Sequence, residues 1–311
     1  MTLTDRVKLK ARELGFQAVG VSRVTSDRPE APRLTEWLSR GHHGEMDWLG
    51  RTAAKRKNPA LLLPGIRAIV SVGMNYYTED RPDDHPGQGR IARYARGTDY
   101  HRVLGERLES LVAFLRAETP DSRSLAYVDT GPVMEKAWAQ RAGLGWIGKH
   151  SNLVSGEYGS WLLLGEVVTT ADLTPDEPGT DLCGTCTLCI RACPTGAITE
   201  PYVVDSRRCL SYLTIEHKGA ISEEFHKALA NRIFGCDECL DVCPYNHQAT
   251  ETAEPAFRAT PMTLNPDLDT LANQTEKEFR ATFHGSPVRR ATREGLQRSV
   301  AIALKNARVG A

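Results

Sequence analysis

The 311-residue chain lacks a net charge: 39 Lys and Arg offset 39 Asp and Glu. That balance gives no whole-chain attraction to a polyanion, so any nucleic-acid contact must come from a local patch. It also lacks a run of 18 apolar residues, so no membrane span is expected. The start, Met1-Thr-Leu-Thr-Asp-Arg, has no apolar core of a signal peptide, so a cytoplasmic home is expected. Structural disulfides are rare in that compartment. Cysteine is absent from residues 1–182 and 244–311, and all eight cysteines fall between Cys183 and Cys243.

The spacing of those eight is the strongest signal in the chain. Cys183-x2-Cys186-x2-Cys189-x3-Cys193-Pro194 is the run with which bacterial ferredoxins hold iron–sulfur clusters. Cys236, Cys239-x3-Cys243-Pro244 is the tail of a second run. In two-cluster ferredoxins the cysteine before Pro ligates the other run's cluster. A complete second run would begin at position 233, which is Ile233, so Cys209 is the cysteine left to replace it. One cluster is then expected on Cys183, Cys186, Cys189 and Cys243, the other on Cys193, Cys209, Cys236 and Cys239. Zinc fits poorly, because its sites pair C-x2-C units across a longer loop. Two four-iron clusters imply single-electron transfer at low potential.

Ahead of the cysteines, strand-like and helix-like stretches alternate. Helices are expected over residues 4–14, 99–116 and 132–142, the second carrying Leu104, Leu108, Leu111, Val112 and Leu115 on one stripe. Strands are expected over residues 16–21, 66–74, 124–128 and 160–168. The pattern reads as an α/β or α+β domain over residues 1–169. A linker rich in Asp, Pro, Thr and Gly leads into a ferredoxin-type domain over residues 170–255, and residues 256–311 read as a helical segment.

Three stretches outside the clusters invite a chemical reading. Gly143-x4-Gly148-Lys149 nearly matches a phosphate-binding loop, but His150 stands where a hydroxyl should hold magnesium, and the motif follows a helix. Asp99-x-His101 with Gly105 approximates a cobalamin-ligand signature whose glycine comes one residue too late, so Asp99 reads as a helix cap. Asp129-Thr-Gly-Pro132 follows a strand, where ligand sites gather in α/β folds. Asp129 is there either a cap or a functional carboxylate. A carboxyl at a helix N-terminus is lowered by the dipole, so acting as an acid would require burial against an apolar group. From Glu276 onward eight Lys/Arg face three Glu, either a solvated face or a contact for phosphates.

Taken together, Tyr94-Ala-Arg-Gly-Thr-Asp-Tyr-His101, Val128-Asp-Thr-Gly-Pro-Val-Met-Glu135, Gly143-Leu-Gly-Trp-Ile-Gly-Lys-His-Ser-Asn152, Cys209-Leu-Ser-Tyr-Leu-Thr-Ile-Glu216 and Gly285-Ser-Pro-x-x-Arg290-Ala291 resemble the epoxyqueuosine reductases of bacterial queuosine synthesis. The resemblance spans nearly the whole chain. It implies an N-terminal domain similar to that of reductive dehalogenases, binding cobalamin beside the first of two four-iron clusters. It implies reduction of epoxyqueuosine to queuosine at the tRNA wobble position, with Asp129 as proton donor. Arg56, Tyr94, Asp129, Asn152 and Ser211 are the implied cobalamin contacts. His217, Lys218, Arg289 and Arg290 are candidates for the tRNA anticodon stem-loop. An external low-potential electron donor and a monomeric chain are expected. Many family members continue into further HEAT-like helices, and residues 256–311 resemble only the start of that region. The runner-up reading is a cobalamin and iron–sulfur reductase of a small molecule, without affinity for tRNA.

Overall fold

Four strands build the central sheet: β1 (Ala18–Arg23), β2 (Ala68–Asn75), β3 (Ser124–Tyr127) and β4 (Leu162–Thr169), in the order β1-β2-β4-β3. The structure, a computed structural model, describes residues 1–25, 28–83 and 85–309. Every pairing in the sheet is antiparallel. Alternation of strand and helix usually signals parallel crossovers, so the α+β half of the expected class describes this sheet.

Both faces of the sheet are covered, which is why every residue of β2 is buried. Helices α1 (Leu3–Glu13) and α2 (Tyr100–Glu118) pack Val7, Ala11, Leu104, Leu108, Leu111 and Leu115 against Val70, Val72 and Val167. The expected leucine stripe is this contact, and each fully buried Leu stabilises by about 1.5–3 kcal/mol. Asp99 caps α2 as expected, its carboxylate accepting the His101 N–H at 3.0 Å.

Helix α3 (Glu135–Arg141) covers the opposite face, with Trp138 against Ile69 and Val168. It lies so close that a Cβ on Gly20 would sit 1.9 Å from the Ala142 carbonyl oxygen. The sequence places the start of this helix at Pro132, yet it starts at Glu135. Residues 129–134 are instead spent on a loop, and neither Asp129 nor Thr130 caps the helix.

The segment after β4 is pinned to the first half. Asp176 pairs with Lys8 and accepts the Val21 N–H at 2.7 Å, and the Gly179 N–H donates to the Gln140 carbonyl at 2.8 Å. The cysteine segment forms short pieces, among them α4 (Leu210–Ile215). Its strand Arg232–Phe234 pairs parallel with Arg90–Ile91. A second core around Phe234 joins Ile91 and Ala95 to Leu271, Phe279, Phe283 and Val300, the last on α5 (Thr292–Val309). The cysteine segment therefore lies between the sheet and the C-terminal helices.

Candidate active site and cluster ligands

All eight cysteines are free thiols. Their neighbours divide them in two. Burial raises the Cys189 thiol, with Cys183, Cys243 and Cys186 adding to the shift, and Cys243 likewise feels Cys183 and Cys186. Burial lifts Cys239 well above the usual range, with Cys209, Cys236 and Cys193 adding to it. Cys236 is pushed up to about 12, mainly by burial. The structure thus brings together Cys183, Cys186, Cys189 and Cys243 in one place, and Cys193, Cys209, Cys236 and Cys239 in another. Thiols that burial raises this far need a metal to make ionisation favourable. No three His, Cys, Asp or Glu among the described residues converge tightly enough for a single metal ion. A cluster, in which each iron takes one thiolate, spreads its ligands wider.

Neighbouring groups are aimed at these sulfurs. The Trp146 indole N–H donates to Cys183 Sγ at 3.4 Å, and the Ala197 N–H to Cys193 Sγ at 3.2 Å. The buried Lys149 donates from Nζ to the Gly184 and Cys186 carbonyls at 2.6 and 2.8 Å. The lysine of the near phosphate loop therefore clamps the first cysteine run. Ser211, expected at the corrin, opens α4 with its N–H and hydroxyl directed to Cys209.

Asp129 lies two residues beyond β3 at φ 53°, a left-handed conformation uncommon for a residue with a Cβ. The following Thr130 N–H bonds back to the Val128 carbonyl at 2.5 Å, a tight and strained turn. Gly131 allows the chain to pass the Tyr127 ring, where a Cβ would lie 2.4 Å from Cδ1. Arg56 holds the loop from outside: its guanidinium donates to the Val133 and Gly131 carbonyls at 2.8 and 3.1 Å and stacks over Trp48. Its role in the described structure is to fasten the loop that carries Asp129.

The Asp129 carboxylate lies 3.3 Å from His101 Nε2, and His101 Nδ1 lies 2.7 Å from Asp99 Oδ1. Burial alone would lower the imidazole, but the two carboxylates outweigh it and push it up to about 9. Burial alone would raise Asp129, yet its bond to His101, the imidazolium charge and the Tyr100 hydroxyl hold it below the usual carboxylate range. The lowering expected from a helix N-terminus comes from His101 instead. The Asp129 side chain is 59 % exposed, although burial is the largest single influence on it. Asp129, His101, Tyr100 and Lys136 thus share one solvent-accessible face beside the loop, the recess.

Lys136 bridges from that face. It is exposed, donates to Asn152 Oδ1 at 2.7 Å and the Ser151 carbonyl at 3.1 Å, and feels the charges of Cys239 and Cys209. The recess therefore adjoins the quartet that contains Cys209. Tyr94 stands at its edge between Tyr100 and Phe234, its hydroxyl raised first by burial and then by Asp129. Thr130, Lys136, Ser151 and Asn152 offer donors and acceptors suited to the amide rim of a corrin.

The tRNA candidates gather elsewhere. A cavity of about 590 Å³ is lined by His217, Lys218 and Arg290, together with Glu216, Trp48 and Arg298. Arg290 is held bidentately by Glu216 at 2.8 and 3.0 Å, and His217 lies 3.1 Å from Glu45. Lys218 and Arg289 are exposed and make no ion pair among the described residues. Arg298, part of the same basic run, donates to the Leu213 and Gly219 carbonyls. Half of this patch is thus structural. A cavity of about 570 Å³ lies beside Cys236 and Arg93, and neither cavity is lined by Asp129.

Reading of the sequence missed His101, Lys136, Glu135 and Glu166 as members of the site. Glu166 carried a signal: it is the one charge in the otherwise apolar strand Leu162–Thr169.

Comparison with known proteins bears directly on this geometry. Residues 56–130 match the family described as epoxyqueuosine reductase QueG, DUF1730, and residues 182–246 match a 4Fe-4S double cluster binding domain. An epoxyqueuosine reductase of Synechocystis sp. is 46% identical over 277 residues, covering 88% of this chain and 95% of that protein. A crystal structure of an epoxyqueuosine reductase with an epoxyqueuosine-modified tRNA-Tyr stem loop aligns at TM-score 0.91 and 33% identity, over 98% of this chain and 81% of that one. The Bacillus subtilis enzyme, in a structure with its catalytic aspartate loop swung out of the active site, aligns at TM-score 0.90 and 31% identity, over 98% and 82%. With its recess, its two thiol quartets and these relatives, the chain belongs to the epoxyqueuosine reductase family.

Proposed function

We propose that this oxidoreductase performs the family's reaction with cobalamin seated in the Asp129 recess, two four-iron clusters on the cysteine quartets, and Asp129 as proton donor. Converting an epoxide to an alkene and water takes two electrons and two protons. Bound cobalamin would supply a reducible cobalt that takes single electrons from the clusters and passes them to the epoxide. The corrin amides would meet Thr130, Lys136, Ser151, Asn152 and the edge of Tyr94, while Arg56 and Ser211 act behind them on the loop and on Cys209.

The observation that carries this reading is the Asp129–His101 bond at 3.3 Å on an accessible recess floor. Asp129 alone is ionised near neutrality, but the pair still holds one transferable proton on the imidazolium. Passing that proton through Asp129 to the opening oxyanion is general acid catalysis, typically contributing about 10²–10⁴-fold. Asp99 on the far nitrogen keeps the ring oriented for a second transfer.

The substrate partner is the anticodon stem-loop of tRNA, approaching past His217, Lys218, Arg289 and Arg290. The charges of Glu216 and Asp129 both bear on Arg290 and on the Tyr94 hydroxyl, which links that surface to the recess. No helix of the described residues is long and apolar enough to cross a membrane. A monomer working in the cytoplasm with an external low-potential donor is part of the same proposal. The residue ranges 1–169, 170–255 and 256–311 are the three working units.

Anaerobic incubation of reconstituted protein with cobalamin, reductant and epoxyqueuosine-containing tRNA, followed by nucleoside mass spectrometry, tests the reading. Queuosine is expected. Its absence while cobalamin is bound and reducible would overturn it. Cys209→Ser is expected to remove about half the iron that two four-iron clusters hold; unchanged iron would remove Cys209 from the ligand set.

A further inference from the structure

Behind the Asp129 loop lies a second acidic group that the reaction above does not use. The Asp129 backbone N–H donates to Glu135 Oε1 at 2.5 Å. Glu135 opens α3, and its carboxyl faces that of Glu166 on β4. Glu166 is 0 % exposed, and no donor among the described residues reaches either of its oxygens. Two carboxylates in contact without a donor repel, so the contact persists only with a proton between them. The hydroxyl of Ser71 on β2, a residue paired in register with Glu166, is also fully buried and has no partner among the described residues. A buried charge without a partner costs several kcal/mol, so this spot in an apolar sheet asks for a reason.

We propose that Glu135 and Glu166 form a proton-sharing pair that latches the Asp129 loop in its working conformation. Glu166 is the buried donor, Glu135 is the acceptor shared between it and the Asp129 N–H, and both are positioning residues. The inference rests on the reading of Asp129 as the proton donor for its purpose, but not for its geometry.

The charges around the pair fit that arrangement. Burial, then the neighbouring Asp129, pushes the Glu135 carboxyl up to about 7. Burial and the charge of Glu135 push Glu166 further in the same direction. The groups that bear on them are Asp129 from the loop, Lys136 from α3 and Arg56 from its own helix, with His101 on the far side of Asp129. Tyr127 from β3 is paired in register with Glu166. None of these cations bonds Glu166, so the proton is what neutralises it. The left-handed turn at Asp129 needs such a brace, because a φ of this kind in a residue with a Cβ is strained.

Two substitutions separate a latch from simple packing. Glu166→Gln keeps the shape and the donor, whereas Glu166→Leu keeps the volume and loses the donor. Hydrogen exchange of the Asp129 amide, read by mass spectrometry on the holoenzyme, is the direct measure. Glu166→Leu is expected to raise that exchange at least tenfold and to lower single-turnover queuosine formation similarly, while Glu166→Gln stays within about twofold of wild type on both. These expectations use the rule that tenfold corresponds to 1.36 kcal/mol. Equal exchange in wild type and Glu166→Leu, or equal damage from both variants, would overturn the latch. Should Glu166→Leu not fold, Glu135→Ala against Glu135→Gln asks the same question at a half-exposed site, and unchanged exchange in Glu135→Ala would overturn it. Because amide exchange does not depend on turnover, raised exchange in Glu166→Leu together with a fully active Asp129→Asn would spare the latch and reject only the proton-donor reading.

Discussion

On one side of the Asp129 loop a carboxylate meets a cation; on the other, a carboxyl meets a carboxyl. Asp129 and His101 are accessible from the recess and share a charged hydrogen bond, with Asp99 behind the imidazole. Glu135 and Glu166 sit between α3 and the sheet, with no cation among the described residues bonded to Glu166. The same functional group, a carboxyl, is ionised in the first setting and protonated in the second, because partner and burial decide the state. The accessible pair can exchange protons with a substrate. The buried pair can only hold structure in place.

Substitutions on either side test that contrast. The largest effect is expected from Asp129→Asn, which keeps the loop hydrogen bonds and removes the carboxylate: queuosine formation should fall by about 10²–10⁴-fold with cobalamin binding intact. Next comes Gly131→Ala. Its Cβ would press into the Tyr127 ring at 2.4 Å, an overpacking of about 1–3 kcal/mol that should displace the loop and slow turnover at least tenfold, measured in single-turnover assays.

Smaller effects should appear in the pH dependence of stability. His101 is raised from 6.5 to about 9, so its pairing stabilises the fold fully below pH 6.5, and that contribution is lost as pH rises through about 9. Its side chain is 34 % exposed, so screening leaves on the order of 1 kcal/mol, or about 2–4 °C in Tm. Glu135 is raised from 4.5 to about 7, so its contribution is present below pH 4.5 and lost as pH rises through about 7. Relative to wild type, His101→Gln should flatten the upper window of a Tm-against-pH series, and Glu135→Gln the lower one. Identical slopes in all three proteins would dissolve the contrast. The smallest change is expected at the tRNA surface. Lys218→Ala and Arg289→Ala should each weaken tRNA binding across sequences and reduce the salt slope by about one, seen in a salt titration of affinity.

The two regions also differ in how far the sequence betrays them. Ligand spacing exposed the cysteine runs, because a cluster demands thiolates at fixed intervals along a short segment, and counting singled out Cys209. The leucine stripe of α2 and the Asp99 cap follow from local periodicity and local bonding. Asp129 was ambiguous between cap and function, and only the family resemblance favoured function. Nothing local reveals that the chain leaves Pro132 outside the helix, since the loop is set by Arg56, Tyr127 and Glu135 from other elements. His101 looked like an ordinary first-turn residue because its partner lies 28 positions away. The antiparallel sheet escaped for the same reason: strand direction is decided by crossovers, not by the strands' own residues. Arg290 and Arg298 read as free cations, and their carboxylate and carbonyl partners appear only in three dimensions.

The contrast itself can be read in one experiment. Infrared spectra of wild type, Asp129→Asn and Glu166→Gln at neutral pH report the C=O stretch of protonated carboxyl groups. A protonated-carboxyl band is expected in wild type that survives Asp129→Asn and is lost in Glu166→Gln. A band that vanishes with Asp129→Asn and survives Glu166→Gln would place the proton on the wrong side of the loop and contradict it.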